Sequence, residues 1–289
     1  MSLEAAAAFA ADCERLARRV PAVVVAVDAP SGCLRGLVAP ARARVATPAG
    51  SVFKLVTGLA WLEAGLEGPP VPCRGAWREP GAGATAPVHR CWRPDGHGGL
   101  ELEDALARSC NVHFLALGHR LGAGRLGQAA RACGLGPALG LEPARPVHAI
   151  GEGRGWWLTP LQGAGLVAAI ASGGPVRTPG WGGATVVAAR PARPGTLARL
   201  RAGMRRAVLG GTARQAAVPG LEVSGKTGTA GRLDGSGRTW GWFLGFARPL
   251  GARRPLLALA VRLEDASGGA GAAPLARQVL QAWLARGCP

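Results

Sequence analysis

The sequence predicts an α+β fold of three layers, α/β/α, in which helices flank a five-stranded antiparallel sheet. An all-helical subdomain is expected to be inserted between an N-terminal hairpin and the C-terminal strands. Three observations carry this. β-Branched runs cluster near both ends of the chain, the middle reads as helices, and a last helical segment closes the sequence. Strands need not be sequential neighbours to share a sheet, so the two ends can pair around the insertion. The 289 residues suffice for one large core. We therefore expect a single domain over 1–289, with an N-terminal helix at 1–20, a sheet subdomain from 21–40 and 221–289, and a mainly helical subdomain at about 51–210.

Leu3, Ala6, Ala10, Cys13, Leu16 and Val20 fall near helical spacing and predict an amphipathic first helix. Ala22 to Val27 is a β-branched run, Asp28-Ala29-Pro30-Ser31-Gly32 is a turn signal, and Cys33 to Val38 is a second run; together they predict a hairpin. Ser51 to Ala64 reads as a helix stopped by Gly65. A loop rich in Pro and Gly follows over about 68–99. Helical stretches flank Ser109-Cys110-Asn111, the second ending near Gly122. Thr159-Pro160-Leu161-Gln162 starts a helix with a threonine cap, a proline at the first position and a capping-box glutamine. That helix runs to Gly173. Another covers about Thr196 to Leu209 before Gly210-Gly211. Leu221 to Thr229, Thr239 to Phe246 and Leu256 to Leu263 predict three strands, and Ala273 to Ala285 a final helix.

Composition removes several chemistries. Tyrosine is absent, which excludes a tyrosine base or nucleophile. The five histidines show no catalytic pairing, so a Ser-His-Asp triad is not expected. The formal net charge is +17, but the arginines are scattered rather than gathered on one element, and no nucleic-acid partner is expected. Seven cysteines leave at least one unpaired. Cys13, Cys33, Cys110, Cys133 and Cys288 read as ordinary buried or partly buried thiols. Cys73 and Cys91 flank the Gly/Pro loop, where a disulfide would contribute about 3 kcal/mol. Cys73, His89, Cys91 and His97 match no standard zinc spacing, so no metal or cofactor is expected. Trp156, Trp157, Trp181, Trp240 and Trp242 are expected to pack in the core or at a groove edge. No stretch reads as a signal peptide or a membrane span.

Lysine is nearly absent: Lys54 and Lys226 stand alone against a large excess of arginine. An ammonium can lose its proton when buried and act as a base, whereas a guanidinium stays charged. Ser51 opens a helix and Lys54 lies one turn on, on the same face. In Ser109-Cys110-Asn111 a hydroxyl can relay a proton between amines and an amide can hold a lysine. In Lys226-Thr227-Gly228-Thr229 the glycine would let an acyl group lie along the strand, and the two threonine hydroxyls could take a carboxylate. The candidate catalytic residues are thus Ser51, Lys54, Ser109, Asn111 and Lys226, with Thr227, Gly228 and Thr229 as candidate substrate-binding residues.

In this order and at these spacings, the three elements resemble the penicillin-binding protein transpeptidase domain of the serine D,D-peptidase and β-lactamase superfamily. Gly50-Ser51-Val52-Phe53-Lys54, the region from His97-Gly98 through Phe114, Gly151-Glu152-Gly153 with Thr159-Pro160-Leu161-Gln162, and Trp242-Phe243-Leu244-Gly245-Phe246 are similar to that family too. Two departures are Ala49, where the family usually has proline, and Glu152, where glutamine is usual.

The resemblance implies that Ser51 is acylated with Lys54 as its base. It implies that Ser109 and Lys226 pass a proton to departing D-alanine, that Asn111 orients Lys54 and substrate, and that the backbone N–H groups of Ser51 and Thr229 form an oxyanion hole. The expected substrate is a peptidoglycan stem peptide. β-Lactams are the expected covalent inhibitors, and the expected location is periplasmic or extracytoplasmic. A β-lactamase, a D,D-carboxypeptidase and a non-catalytic β-lactam sensor or scaffold are the rival readings. No Glu-x-x-Leu-Asn element is present, so deacylation by water is expected to be slow.

Overall fold

The computed structural model describes residues 3–66, 71–136, 146–153, 155–251 and 257–287. Cys288 and Leu256 lie outside these residues. The elements that build the site are α1 (Leu3–Ala17), β1 (Ala22–Asp28), β2 (Leu34–Val38), α2 (Lys54–Glu63), α3 (Leu102–Ala107), α4 (Asn111–Ala132), α5 (Pro160–Ser172), α6 (Pro194–Gly210), β3 (Leu221–Gly231), β4 (Thr239–Pro249), β5 (Leu257–Glu264) and α7 (Ala273–Ala285). The five strands form one antiparallel sheet in the order β3-β4-β5-β1-β2, so the two ends of the chain meet where β1 pairs with β5. The predicted α+β class is the one observed.

β1 lies inside the sheet and both its faces are covered, which explains its unbroken apolar run. Successive side chains point to opposite faces. Val23, Val25 and Val27 join the core beneath α5, while Val24 and Ala26 join a second core with Phe9, Cys13, Val279 and Trp283 from α1 and α7. These two cores make the three layers. The hairpin turn is closed by Asp28, whose carboxylate accepts from the Ser31 N–H at 3.0 Å and from the Ser31 hydroxyl. α5 begins with the predicted capping box: Thr159 Oγ1 accepts from the Gln162 N–H at 3.1 Å, and Gln162 Oε1 accepts from the Thr159 N–H at 3.0 Å.

Several boundaries differ from expectation. α1 ends at Ala17, leaving Val20 exposed. The helix expected from Ser51 starts as a 3₁₀ turn over Gly50–Phe53 and becomes α-helical at Lys54. α4 does not end at Gly122 but kinks there, where the glycine takes φ 71°, ψ 165°. The 68–99 loop holds two short strand pairs, Pro72–Cys73 with Gly98–Gly99 and Ala76–Arg78 with Val88–Arg90. Strands of two or three residues are too short to show periodicity.

Candidate active site

Three segments converge at one end of the sheet. β3 is an edge strand, and Lys226 to Thr229 lie along it. The Gly50–Phe53 turn packs against that edge. Gly50 has φ 54°, and a Cβ there would lie 2.7 Å from the Thr229 carbonyl oxygen. Gly228 is tight from its side as well: a Cβ would sit 3.0 Å from the Val52 nitrogen. The turn that carries Ser51 thus packs tightly on Gly228, a constraint beside the substrate-binding role expected of that residue. Gly50→Ala meets both a left-handed backbone and a backbone clash, and is expected to cost about 2–3 kcal/mol of stability, read as a lower urea midpoint.

The Gly151 region closes the third side. Thr47–Pro48 pairs with Trp157–Leu158, and the Gly50 N–H donates to the Gly151 carbonyl at 3.0 Å. Ala49 donates its N–H to the Trp156 carbonyl at 3.2 Å, a bond that proline could not make. Phe53 stacks on Trp156 with ring centroids 5.0 Å apart, fixing the turn that carries Ser51.

Ser109 has an unusual backbone. After α3, the Cys110 N–H bonds the Ala105 carbonyl at 3.0 Å and the Ser109 N–H bonds the Leu106 carbonyl at 3.2 Å. This is a Schellman end, with Ser109 at the left-handed position, φ 53°. Glycine is the usual residue there; a serine costs about 1 kcal/mol in that conformation. Cys110 then caps α4, its sulfur accepting from the His113 N–H at 3.5 Å.

Both lysines are fully buried. Lys54 Nζ lies 3.0 Å from Ser51 Oγ, 2.6 Å from Asn111 Oδ1, 2.9 Å from the Ser109 carbonyl and 3.3 Å from Ser109 Oγ. Lys226 Nζ donates to Ser109 Oγ at 2.8 Å and to the Thr227 carbonyl at 2.7 Å. Ser109 Oγ thus bridges the two amines. Burial pulls Lys54 down to about 8, against the opposing pull of Cys110, Cys91 and Glu152. Burial first, and the charge of Lys54 second, hold Lys226 well below the usual lysine range. Their shared bond to Ser109 Oγ keeps the two amines within about 6 Å, where two ammonium charges would repel by at least about 3 kcal/mol at an effective dielectric of ~20. The pair therefore favours holding fewer than two protons.

A neutral Lys54 has two N–H donors and one lone pair. Asn111 Oδ1 and the Ser109 carbonyl occupy the donors, which leaves the lone pair for the Ser51 proton. Asn111 is held in turn by its own Nδ2, which donates to the Arg90 carbonyl at 3.2 Å. Thr227 Oγ1 donates to Thr212 Oγ1 at 2.7 Å, and Thr229 Oγ1 accepts from the Gly268 N–H at 3.1 Å.

Above this constellation lies an open cleft of about 490 Å³, lined by Ser51, Ser109, Asn111, Thr227, Gly228 and Thr229 among others. All eight candidate residues meet here, six on the wall and the two lysines beneath it. The sequence reading missed Trp92, Thr212, Arg214 and Gln215, which also line the cleft. Of the tryptophans, Trp156 and Trp242 are core, while Trp92, 58% exposed, stands at the cleft. Glu152, singled out only as a departure, faces it too, and its charge favours the protonated form of Lys54.

A serine at the start of a helix, a bridging serine and a strand-borne lysine thus meet at the edge of this sheet. The chain belongs to the penicillin binding protein transpeptidase domain family, whose description matches residues 23–281. It is 32% identical over 281 residues to peptidoglycan D,D-transpeptidase PbpA of Mycolicibacterium smegmatis, covering 83% of this chain and 55% of that protein. It therefore spans about half the length of that curated relative. Penicillin-binding protein A of M. tuberculosis, solved as a ceftriaxone acyl-enzyme complex, superposes with a TM-score of 0.80 at 26% identity, over 95% of this chain and 78% of that one. Pseudomonas aeruginosa PBP2, solved in complex with WCK 5153, gives a TM-score of 0.80 at 26% identity, over 96% of this chain and 74% of that one.

Proposed function

We propose that this chain carries the D,D-transpeptidase activity of a penicillin-binding protein, acting outside the cytoplasmic membrane on peptidoglycan stem peptides. The observation that carries the reading is the meeting of two fully buried amines at Ser109 Oγ, one of them also 3.0 Å from Ser51 Oγ. Neutral Lys54 takes the Ser51 proton as Ser51 Oγ attacks the penultimate D-alanine carbonyl. The peptide C–N bond breaks, and the proton passes through Ser109, between Lys54 and Lys226, to the departing D-alanine amine. The acyl group stays on Ser51 until an amine of a second stem peptide, or water, accepts it.

The backbone N–H groups of Ser51 and Thr229 serve as oxyanion donors, each such donor contributing about 3 kcal/mol to the transition state. The close approach of Gly50 to Thr229 supports this role. Thr227 and Thr229 are the proposed carboxylate binders, and β-lactams acylate Ser51 because their strained amide presents the same carbonyl. Among the described residues, no helix is long and apolar enough to cross a membrane.

Release of D-alanine from a D-Ala–D-Ala stem pentapeptide tests the function. The expected result is release that requires Ser51, with a cross-linked product when an amine acceptor is added. Release giving only hydrolysed tetrapeptide would assign a carboxypeptidase. Acylation by penicillin without any release would assign a sensor.

A further inference from the structure

Outside the catalytic constellation, the fold gathers a second set of reactive side chains. Cys73, Cys91, His97 and Cys110 place their ligating atoms within 4.8 Å of one another. Sequence spacing had grouped His89 with the first three and read Cys110 as an ordinary buried thiol. In the structure His89 faces Trp77 instead, and Cys110 takes its place in the cluster. All three cysteines are free and buried. We propose that these four residues hold one zinc ion in a structural Cys₃His site, which fastens the 71–100 loop to the turn between Ser109 and Asn111.

The geometry fits the ion. A tetrahedral zinc with Zn–S about 2.3 Å and Zn–N about 2.1 Å has an S···N edge of about 3.6 Å. His97 Nδ1 lies 3.5 Å from Cys91 Sγ and 3.7 Å from Cys73 Sγ. The S···S edges of such a site are about 3.8 Å, so with all ligand atoms within 4.8 Å no sulfur pair needs to close by more than about one ångström. His97 Nε2 is buried with no hydrogen-bond partner among the described residues, so the ring's polar contacts are those on the sulfur side. Three thiolates and an imidazole suit zinc rather than magnesium or calcium, which prefer oxygen.

The loop is shaped around these ligands. The His97 N–H bonds the Cys73 carbonyl at 3.0 Å, and the Cys91 N–H bonds the Gly75 carbonyl at 2.8 Å. A Cβ on Gly75 would lie 1.7 Å from the Pro94 carbonyl oxygen, and one on Gly96 would lie 2.1 Å from the Cys73 carbonyl oxygen. Only glycine permits these two turns to close on each other. Zinc binding would release the three thiol protons to water. It would also fix Cys110 between Ser109 and Asn111, while Arg90, the neighbour of Cys91, holds Asn111.

The test uses the full chain, reduced, stripped with a chelator and refilled with Zn²⁺ or Co²⁺. One zinc per chain is expected by atomic emission. With Co²⁺, tetrahedral d–d bands and a sulfur-to-cobalt charge-transfer band are expected. Cys91→Ser should weaken zinc binding at least tenfold, and His89→Ala should leave it unchanged. Refilling should raise the melting temperature and speed acylation of Ser51 several-fold. Substoichiometric zinc, an octahedral cobalt spectrum or wild-type affinity in Cys91→Ser overturns the site. A native chain two hydrogens lighter than its sequence mass, marking a disulfide, overturns it as well. Zinc bound without any effect on acylation would overturn the link to Asn111. Because metal content and the cobalt spectrum are read directly, the outcomes that decide the site do not depend on the transpeptidase reading; only the acylation arm does.

Discussion

Lys54→Arg is expected to slow acylation of Ser51 by about 10³-fold. Arginine is the residue at every other basic Lys/Arg position of the chain except Lys226, and the substitution preserves charge. It fails here because a guanidinium does not surrender its proton at working pH. Lys54, drawn down to about 8 by burial, is neutral in roughly a tenth of molecules at pH 7. The wild-type acylation rate should therefore rise about tenfold per pH unit below 8 and level off above it, because the reactive form is the deprotonated one. Lys54→Arg should lose that slope along with the rate. Stopped-flow acylation by a chromogenic β-lactam, read from pH 6 to 9, checks both. An unchanged profile in the variant would remove Lys54 as the base. The same depression has a consequence for folding. Between about 8 and the ordinary lysine value, the unfolded chain binds more protons at this site than the folded one. The contribution of Lys54 to stability thus improves as pH rises through that window and is most unfavourable below it.

Ser109→Gly and Ser109→Ala are each expected to cost about 10²-fold or more in acylation, because either removes the hydroxyl that bridges the two amines. Their stabilities should differ in the opposite sense from ordinary positions. At φ 53° an alanine keeps the left-handed strain while glycine relieves it. The glycine variant should exceed the alanine variant by about 1 kcal/mol in a denaturant titration. The glycine variant would then be the more stable of two equally impaired enzymes, the pattern expected where strain is retained for function. Equal stability of the two would mean that the Schellman turn relaxes on substitution.

The candidate catalytic residues were legible because the chemistry proposed for them restricts residue type and each motif is local. Ser51 and Lys54 are one helical turn apart, and two lysines in so arginine-rich a chain mark themselves. The capping box at Thr159 and the strand carrying Lys226 were legible for the same reason, since each is decided within a few residues. The Cys₃His cluster was not. Its ligands reach from Cys73 to Cys110, and Cys110 joins them only because the Schellman turn after α3 redirects the chain. Trp92, Arg214 and Gln215 come to the cleft on loops or a short turn, where spacing says nothing about direction. Gly228 was read for the room it leaves an acyl group; its tight packing against the turn that carries Ser51 was not legible. The pressing neighbour is Val52, distant in sequence and invisible to a local pattern.

Intact-mass analysis after exposure to penicillin, with wild type and Ser51→Ala side by side, tests the central claim most directly. The account predicts that wild type gains the mass of one opened β-lactam, localised by peptide mapping to the peptide carrying Ser51, and that Ser51→Ala gains none. A wild-type chain that stays unmodified, or a Ser51→Ala chain that is modified, would contradict it.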